Sequence, residues 1–259
     1  MGRLDQKVML VTGSGRGLGR SCAEMSAREG AKVVVVDINV ENGEETIRLI
    51  KNAGGDAIFV RADVSNSSDI QAMVRAAEEK YGGLDCAINN AMRAPEFRPF
   101  AEVSEEDWDR SIAVNLKGVF LCMKYELQAM LRRGGGAIVS IGSGNEHGAA
   151  PGCTAYIAAK RGLLGLTAVA ALEYGSKNIR VNAVGPGVMK TPAMRDTVEE
   201  HPKHIEFLKS LSPMERFADP AEVAAAAVWL CTNEASFVTG HTLVADGGAS
   251  AGKVFKNVV

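Results

Sequence analysis

Val8-Met9-Leu10-Val11-Thr12-Gly13-Ser14-Gly15-Arg16-Gly17-Leu18-Gly19 is an apolar run that breaks into glycines and leads into a helical pattern from about Leu18 to Arg28. Consecutive apolar residues bounded by a turn suit a strand buried on both faces, and such strands belong to parallel sheets. Glycines at the junction let the backbone turn sharply and approach a ligand, and the helix N-terminus behind them favours an anion. The spacing is G-x-x-x-G-x-G, on Gly13, Gly17 and Gly19; in the commoner G-x-G-x-x-G the last glycine would fall on Leu18. The strand–loop–helix setting points to a dinucleotide pyrophosphate, with Gly13, Ser14, Gly15, Arg16, Gly17 and Leu18 as its cradle.

Outward from this loop the alternation repeats. Val33–Val36, Ala57–Val60, Asp85–Ile88, Ala137–Val139, Arg180–Val184 and Thr242–Val244 are short strand-like runs separated by helical patterns. Right-handed crossovers between such strands build a doubly wound sheet. The expected fold is α/β: one Rossmann-like domain over residues 1–259, with seven parallel strands in the order 3-2-1-4-5-6-7 and helices on both faces. The polar stretch from Met189 to about Pro213, which also carries Pro192 and Pro202, falls after the sixth strand. It is expected to be a lid over the carboxyl ends of the strands, with an exposed helical insertion as the plainer alternative.

Composition narrows the function. The 259 residues are 46% hydrophobic and 23% charged with a net charge of −2, which excludes a broad basic surface for nucleic acid. The 5% of aromatic residues is too few for stacking platforms. The longest uncharged helical stretch, Gly162–Leu172, reads as too short to span a bilayer, and no signal-peptide pattern precedes Val8. Cys22, Cys86, Cys122, Cys153 and Cys231 are odd in number and scattered, as expected of buried thiols in a reducing compartment. A cytoplasmic enzyme of small molecules is the expectation, with no nucleic-acid or membrane partner. His201 and His204 lie three apart without further ligands nearby, and His241 begins the last strand, so no metal is expected.

Asp37 ends the second strand eighteen positions beyond Gly19. A carboxylate there accepts hydrogen bonds from both ribose hydroxyls of NAD and repels a 2′-phosphate. Arg16 pulls toward NADP, but Asp37 opposes that phosphate directly, so NAD is the expected cofactor. Tyr156 has Lys160 four residues on, which puts an ammonium on the same helical face as a phenol. A neighbouring cation favours phenolate and fits the phenol for proton transfer near neutral pH. That spacing alone is a common coincidence. Ser143, just past the fifth strand, falls at the cofactor crevice, where its hydroxyl can donate to a carbonyl oxygen.

Together these residues resemble the classical short-chain dehydrogenase/reductase family over essentially the whole chain. Its glycine motif matches Thr12 to Gly19, its Y-x-x-x-K matches Tyr156 and Lys160, its catalytic serine matches Ser143, and its helical asparagine matches Asn115. The resemblance implies reversible hydride transfer between a secondary alcohol and a nicotinamide, with Tyr156 as acid/base and Lys160 on the nicotinamide ribose. Asn115 would anchor a water that passes the proton onward. It also implies cofactor contacts at Ile38 beside Asp37, at Asp63-Val64 near adenine, at Asn89 and Ala91, and at Pro186, Gly187, Val188 and Thr191 around the carboxamide. A homotetramer is implied too. One departure stands out: the family's N-N-A-G reads Asn89-Asn90-Ala91-Met92 here.

Substrate contacts are expected from the loops at the same edge, with Arg93, Asn145, Glu146, His147 and Met189 as candidates for a small hydroxylated or cyclic alcohol. Two rivals remain. An NADPH-dependent 3-oxoacyl-carrier-protein reductase would carry Arg before Glu173 to dock an acidic carrier; this chain has Leu172 there, although Arg132-Arg133 keep part of a basic patch. A non-catalytic dinucleotide sensor would need only the glycine loop and Asp37, not Ser143, Tyr156, Lys160 and Asn115.

Overall fold

In a computed structural model, residues 2–144, 149–191 and 202–252 are described. Seven strands form one parallel sheet: β1 (Val8–Thr12), β2 (Lys32–Asp37), β3 (Asp56–Arg61), β4 (Cys86–Asn89), β5 (Gly136–Ile141), β6 (Ile179–Pro186) and β7 (Thr242–Ala245). Their order across the sheet is β3-β2-β1-β4-β5-β6-β7, as expected. The chain reverses direction across the sheet between β1 and β4, which opens a crevice at the carboxyl edge.

The central strands β1, β2, β4, β5 and β6 are buried on both faces and the edge strands β3 and β7 only in part, and alternate residues feed two cores. Leu10, Val34, Val36, Ile138 and Ala183 face one side. Helices α3 (Ser67–Tyr81), α5 (Val119–Arg133) and α6 (Thr154–Tyr174) cover it. Met9, Val11, Val33, Val35, Val139 and Val184 face the other. That side is covered by α1 (Gly17–Arg28), α2 (Val40–Asn52) and α8 (Pro220–Cys231). The period of two along a strand separates the faces, so these β-branched runs read as continuously apolar.

Between α4 (Glu105–Ile112) and α5 the helix takes a π turn over Ala113–Gly118, around Asn115. Of the expected lid, residues 192–201 lie outside the described residues, and Pro202–Ser210 form α7, with Ile205 buried. All five cysteines are buried, and burial pushes the Cys22 thiol up to about 12.

The bilayer estimate needs correction. The helix of Thr154–Lys177 runs 24 residues and contains an 18-residue window apolar enough to cross a membrane by length and composition alone. The uncharged stretch from Gly162 underestimated it because the helix continues upstream through Lys160 and Arg161. Its Ala159, Leu163 and Ala171 are buried in the domain, where it packs on β6.

Candidate functional site

The glycine loop owes its shape to the end of β4. Asn90 donates its side-chain amide to the carbonyls of Thr12 (3.0 Å) and Gly13 (2.9 Å). The backbone N–H groups of Asn90 and Ala91 donate to Thr12 Oγ1 at 3.0 and 3.1 Å. The fit leaves no room for side chains: a Cβ on Gly19 would lie 2.2 Å from the Gly13 carbonyl oxygen. Gly13 has φ +62°, and a Cβ there would lie 2.8 Å from Ala91 Cα. Arg20 braces the loop from behind, donating to Thr46 Oγ1 at 3.0 Å and to the Gly15 carbonyl. In the sequence Thr12 and Asn90 stand only as members of matched motifs and Arg20 and Thr46 carry no signal, because each acts through a partner distant in the chain.

Side chains of Asn39, Asn66, Ser104 and Asp219 cap α2, α3, α4 and α8, whereas no side chain caps α1 at Arg16. The leading N–H groups of α1 are thus left to an anion. Asp37 stands beside them: one carboxylate oxygen accepts from Gly15 N at 2.7 Å and the other from Asn39 N at 2.9 Å. Glycine cradle, uncapped helix and strand-end carboxylate together fit a dinucleotide. Ser14 departs from expectation. Its hydroxyl donates to the Val11 carbonyl and accepts from Val36 N, its amide donates to the Val36 carbonyl, and its carbonyl accepts from Thr46, so it braces the loop from within.

The other expected residues gather at the same edge, because all seven strands point their carboxyl ends one way. Tyr156 and Lys160 lie one turn apart on α6, with the ammonium 5.7 Å from the Tyr156 ring centre. Lys160 is buried, and its Nζ donates to the carbonyl of Ile141 at the end of β5, at 2.6 Å. Two residues further, Ser143 is buried next to the end of β6, where a Cβ on Gly185 would meet its carbonyl oxygen at 3.0 Å. A buried ammonium is costly to desolvate, and the bond to the Ile141 carbonyl offsets part of that cost.

Asn115, fully buried in the π turn, clamps the loop after β4. Its amide donates to the Arg93 carbonyl (3.0 Å) and to Ser111 Oγ (3.2 Å), and its Oδ1 accepts from Arg93 N (2.9 Å). Substituting Asn115→Leu leaves the Arg93 backbone groups unpaired, at about 1–3 kcal/mol each. The expected result is a loss of about 2 kcal/mol in denaturant unfolding, read as a lower midpoint with unchanged slope. An unchanged midpoint would contradict the clamp.

Other expected contacts take definite places. Asp63 accepts from Ser65 N and Oγ at 2.8 and 2.7 Å, and Val64 is buried beside it. Ile38 is exposed beyond Asp37. Gly187 N donates to the Ala245 carbonyl, the Val188 carbonyl accepts from Ala218 N, and Thr191 N donates to the Met189 carbonyl. The side chain of Asn89 is committed inward, to Glu126 on α5 at 2.9 Å. Among the substrate candidates, Arg93 ion-pairs with Glu96, and Met189 bridges to Ala218 with its side chain packed on the α1–α8 core. Met189 thus roots the segment that follows β6, with part of its side chain still accessible. Asn145, Glu146 and His147 lie outside the described residues. Among the described residues, no three His, Cys, Asp or Glu side chains gather as metal ligands.

Comparison with known proteins places this geometry. Residues 13–250 match a family model described as enoyl-(acyl carrier protein) reductase. The chain is 42% identical over 252 residues to the 2,5-dichloro-2,5-cyclohexadiene-1,4-diol dehydrogenase of Sphingobium indicum, covering 97% of this chain and 100% of that one. It is 41% identical over 245 residues to the cyclohexanol dehydrogenase of an Acinetobacter species, covering 95% of each. The solved structure of an actinorhodin polyketide ketoreductase variant with NADPH superposes with a TM-score of 0.90 at 33% identity, covering 96% of this chain and 99% of that one. The protein is accordingly an oxidoreductase of CH–OH groups that uses a nicotinamide dinucleotide. The chain belongs to the classical short-chain dehydrogenase/reductase family.

Proposed function

We propose that the protein interconverts a secondary alcohol and its ketone on a small hydroxylated or cyclic substrate, with NAD as cofactor and Tyr156 as general acid/base. The observation that carries this reading is the buried Lys160 ammonium, tethered to the end of β5 and set 5.7 Å from the Tyr156 ring. A bound nicotinamide would supply the hydride acceptor for the carbinol carbon, or the hydride donor for the carbonyl in reverse. Tyr156 takes the hydroxyl proton in the first direction and gives it back in the second. Lys160 favours the phenolate by its charge and holds the nicotinamide ribose. Ser143 donates to the reacting oxygen as negative charge gathers there. The Asn115 side chain is tied to Arg93 and Ser111, so holding a proton-relay water falls to its main chain in the π turn.

Asp37 supports NAD over NADP. The relatives named for a cyclohexadiene diol and for cyclohexanol support a cyclic alcohol. The rival carrier-protein reductase needs a cationic patch, and the arginines that would supply it are matched by acids. Arg132 pairs with Glu78 at 2.6 Å and Arg133 with Asp85 at 3.2 Å. Such partly exposed pairs contribute only about 0–1 kcal/mol to stability, but they cancel the charge a carrier would seek, and at the docking position Leu172 is exposed. Initial rates with cyclic secondary alcohols test the reading: NAD should outperform NADP by at least about tenfold in kcat/KM, about 1.4 kcal/mol. Preference for NADP would overturn the cofactor, and preference for a carrier-linked substrate would overturn the substrate class.

We assign the working form to a cytoplasmic homotetramer. Val169 and Leu172 on α6 and Phe120 on α5 are exposed apolar residues that an assembly would cover. Light scattering should give the mass of four chains, and Leu172→Arg should lower it. A monomeric mass for the unmodified protein would contradict the assignment.

A further inference from the structure

Glu126 is a fully buried acid that the proposed mechanism does not use. It lies on α5 and accepts one hydrogen bond, from the Asn89 side-chain amide to Oε2 at 2.9 Å. Its Oε1 has no partner, and neither has Asn89 Oδ1. Both are buried acceptors, and two acceptors cannot satisfy each other. The hydroxyls of Ser140 and Thr167 are likewise buried and bond to neither oxygen. A proton on Glu126 itself would complete the pair. With it, Oε1 would donate to Asn89 Oδ1, and acid and amide would close a ring of two hydrogen bonds.

We propose that Glu126 is held as the neutral acid and is a positioning residue for the dinucleotide loop, fixing the carboxyl end of β4 to α5 through Asn89. The link to the loop is short. The two residues after Asn89 are Asn90 and Ala91, which together make four hydrogen bonds to Thr12 and Gly13. Ionising Glu126 would strip the ring of its proton, set carboxylate against the amide oxygen, and loosen that support.

The electrostatics agree with the geometry. Burial raises Glu126 from an ordinary 4.5 to about 7, opposed only by the Asn89 hydrogen bond. The titratable group beside it is Cys122, one turn earlier on α5, whose buried thiol is pushed well up and stays neutral. Among the described residues, no charged side chain of α3, β4, β5 or α6 acts on it. The sign follows. Below pH 4.5 the folded and unfolded chains both hold the proton. From there to about 7 the folded chain holds more, so its stability falls with rising pH.

The role in dinucleotide binding rests on the proposed cofactor; the neutral pair itself does not. In E126Q, an amide N–H replaces the acid O–H and keeps both bonds at every pH. Calorimetric NAD binding by the wild type should weaken by about tenfold from pH 6 to pH 8.5, while E126Q changes by less than about twofold. In thermal unfolding, E126Q should gain about 5 °C on the wild type between pH 5 and pH 8. Infrared spectra of the wild type alone should show a protonated carboxyl band lost between pH 6 and pH 8. Parallel binding profiles in the two proteins overturn the positioning role. Absence of the infrared band at pH 6 overturns the neutral pair. If NAD does not bind at all, the cofactor reading fails, while the unfolding and infrared results still decide the state of Glu126.

Discussion

Replacing Tyr156 with Phe is expected to lower kcat for secondary-alcohol oxidation by about 10³-fold, within the range of general acid–base catalysis. The affinity for NAD should change by less than about threefold. The substitution removes only an oxygen, and the ring keeps its place on α6 next to the Lys160 ammonium. The glycine loop, the uncapped start of α1 and Asp37, which would hold the dinucleotide in the proposed reading, are untouched. Loss of turnover with retained binding is therefore the signature of a proton-transfer group. Single-turnover formation of reduced nicotinamide, with NAD binding measured separately, distinguishes it from a folding defect. Near-normal turnover in Tyr156→Phe would falsify the assignment.

Asp37→Ser carries the second large effect. Each hydrogen bond to a charged group contributes about 1.5–3 kcal/mol. The carboxylate would have two tasks: it tethers Gly15 N at 2.7 Å, and in the proposed reading it accepts from the ribose hydroxyls. Losing both should lower kcat/KM with NAD by about 10²-fold, because about 1.4 kcal/mol is a factor of ten. Removing the negative charge should raise kcat/KM with NADP, with Arg16 exposed at the head of the loop to meet the phosphate. Initial rates with both cofactors measure the shift. Unchanged selectivity would move the basis of cofactor choice away from Asp37.

The features legible in the sequence are those carried by residues close together in the chain. Val8–Val11 before the glycines, Val33–Val36, and Tyr156 with Lys160 are local patterns with one physical meaning each. The parallel sheet follows from them, because apolar runs alternating with helices have few ways to wind. What sequence could not supply was set by partners far apart. Asn115 clamps Arg93 from 22 residues away and Asn89 meets Glu126 from 37. Arg132 and Arg133 looked like a free basic patch until Glu78 and Asp85 came beside them. Ser14 sits in the loop that cradles phosphates, yet its polar atoms tie β1 to β2 and α2. Met189 follows the same logic: next to the crevice in sequence, its half-buried side chain packs against the α1–α8 core.

The proposed mechanism requires the Tyr156 phenol and the Lys160 ammonium, one turn apart on α6, to face the bound nucleotide. A crystal structure of the complex with NAD tests that most directly. The predicted result has the Tyr156 hydroxyl and the Lys160 ammonium both directed at the nicotinamide ribose, with the pyrophosphate against the start of α1. A nucleotide bound elsewhere, or either side chain turned away from it, would contradict the account.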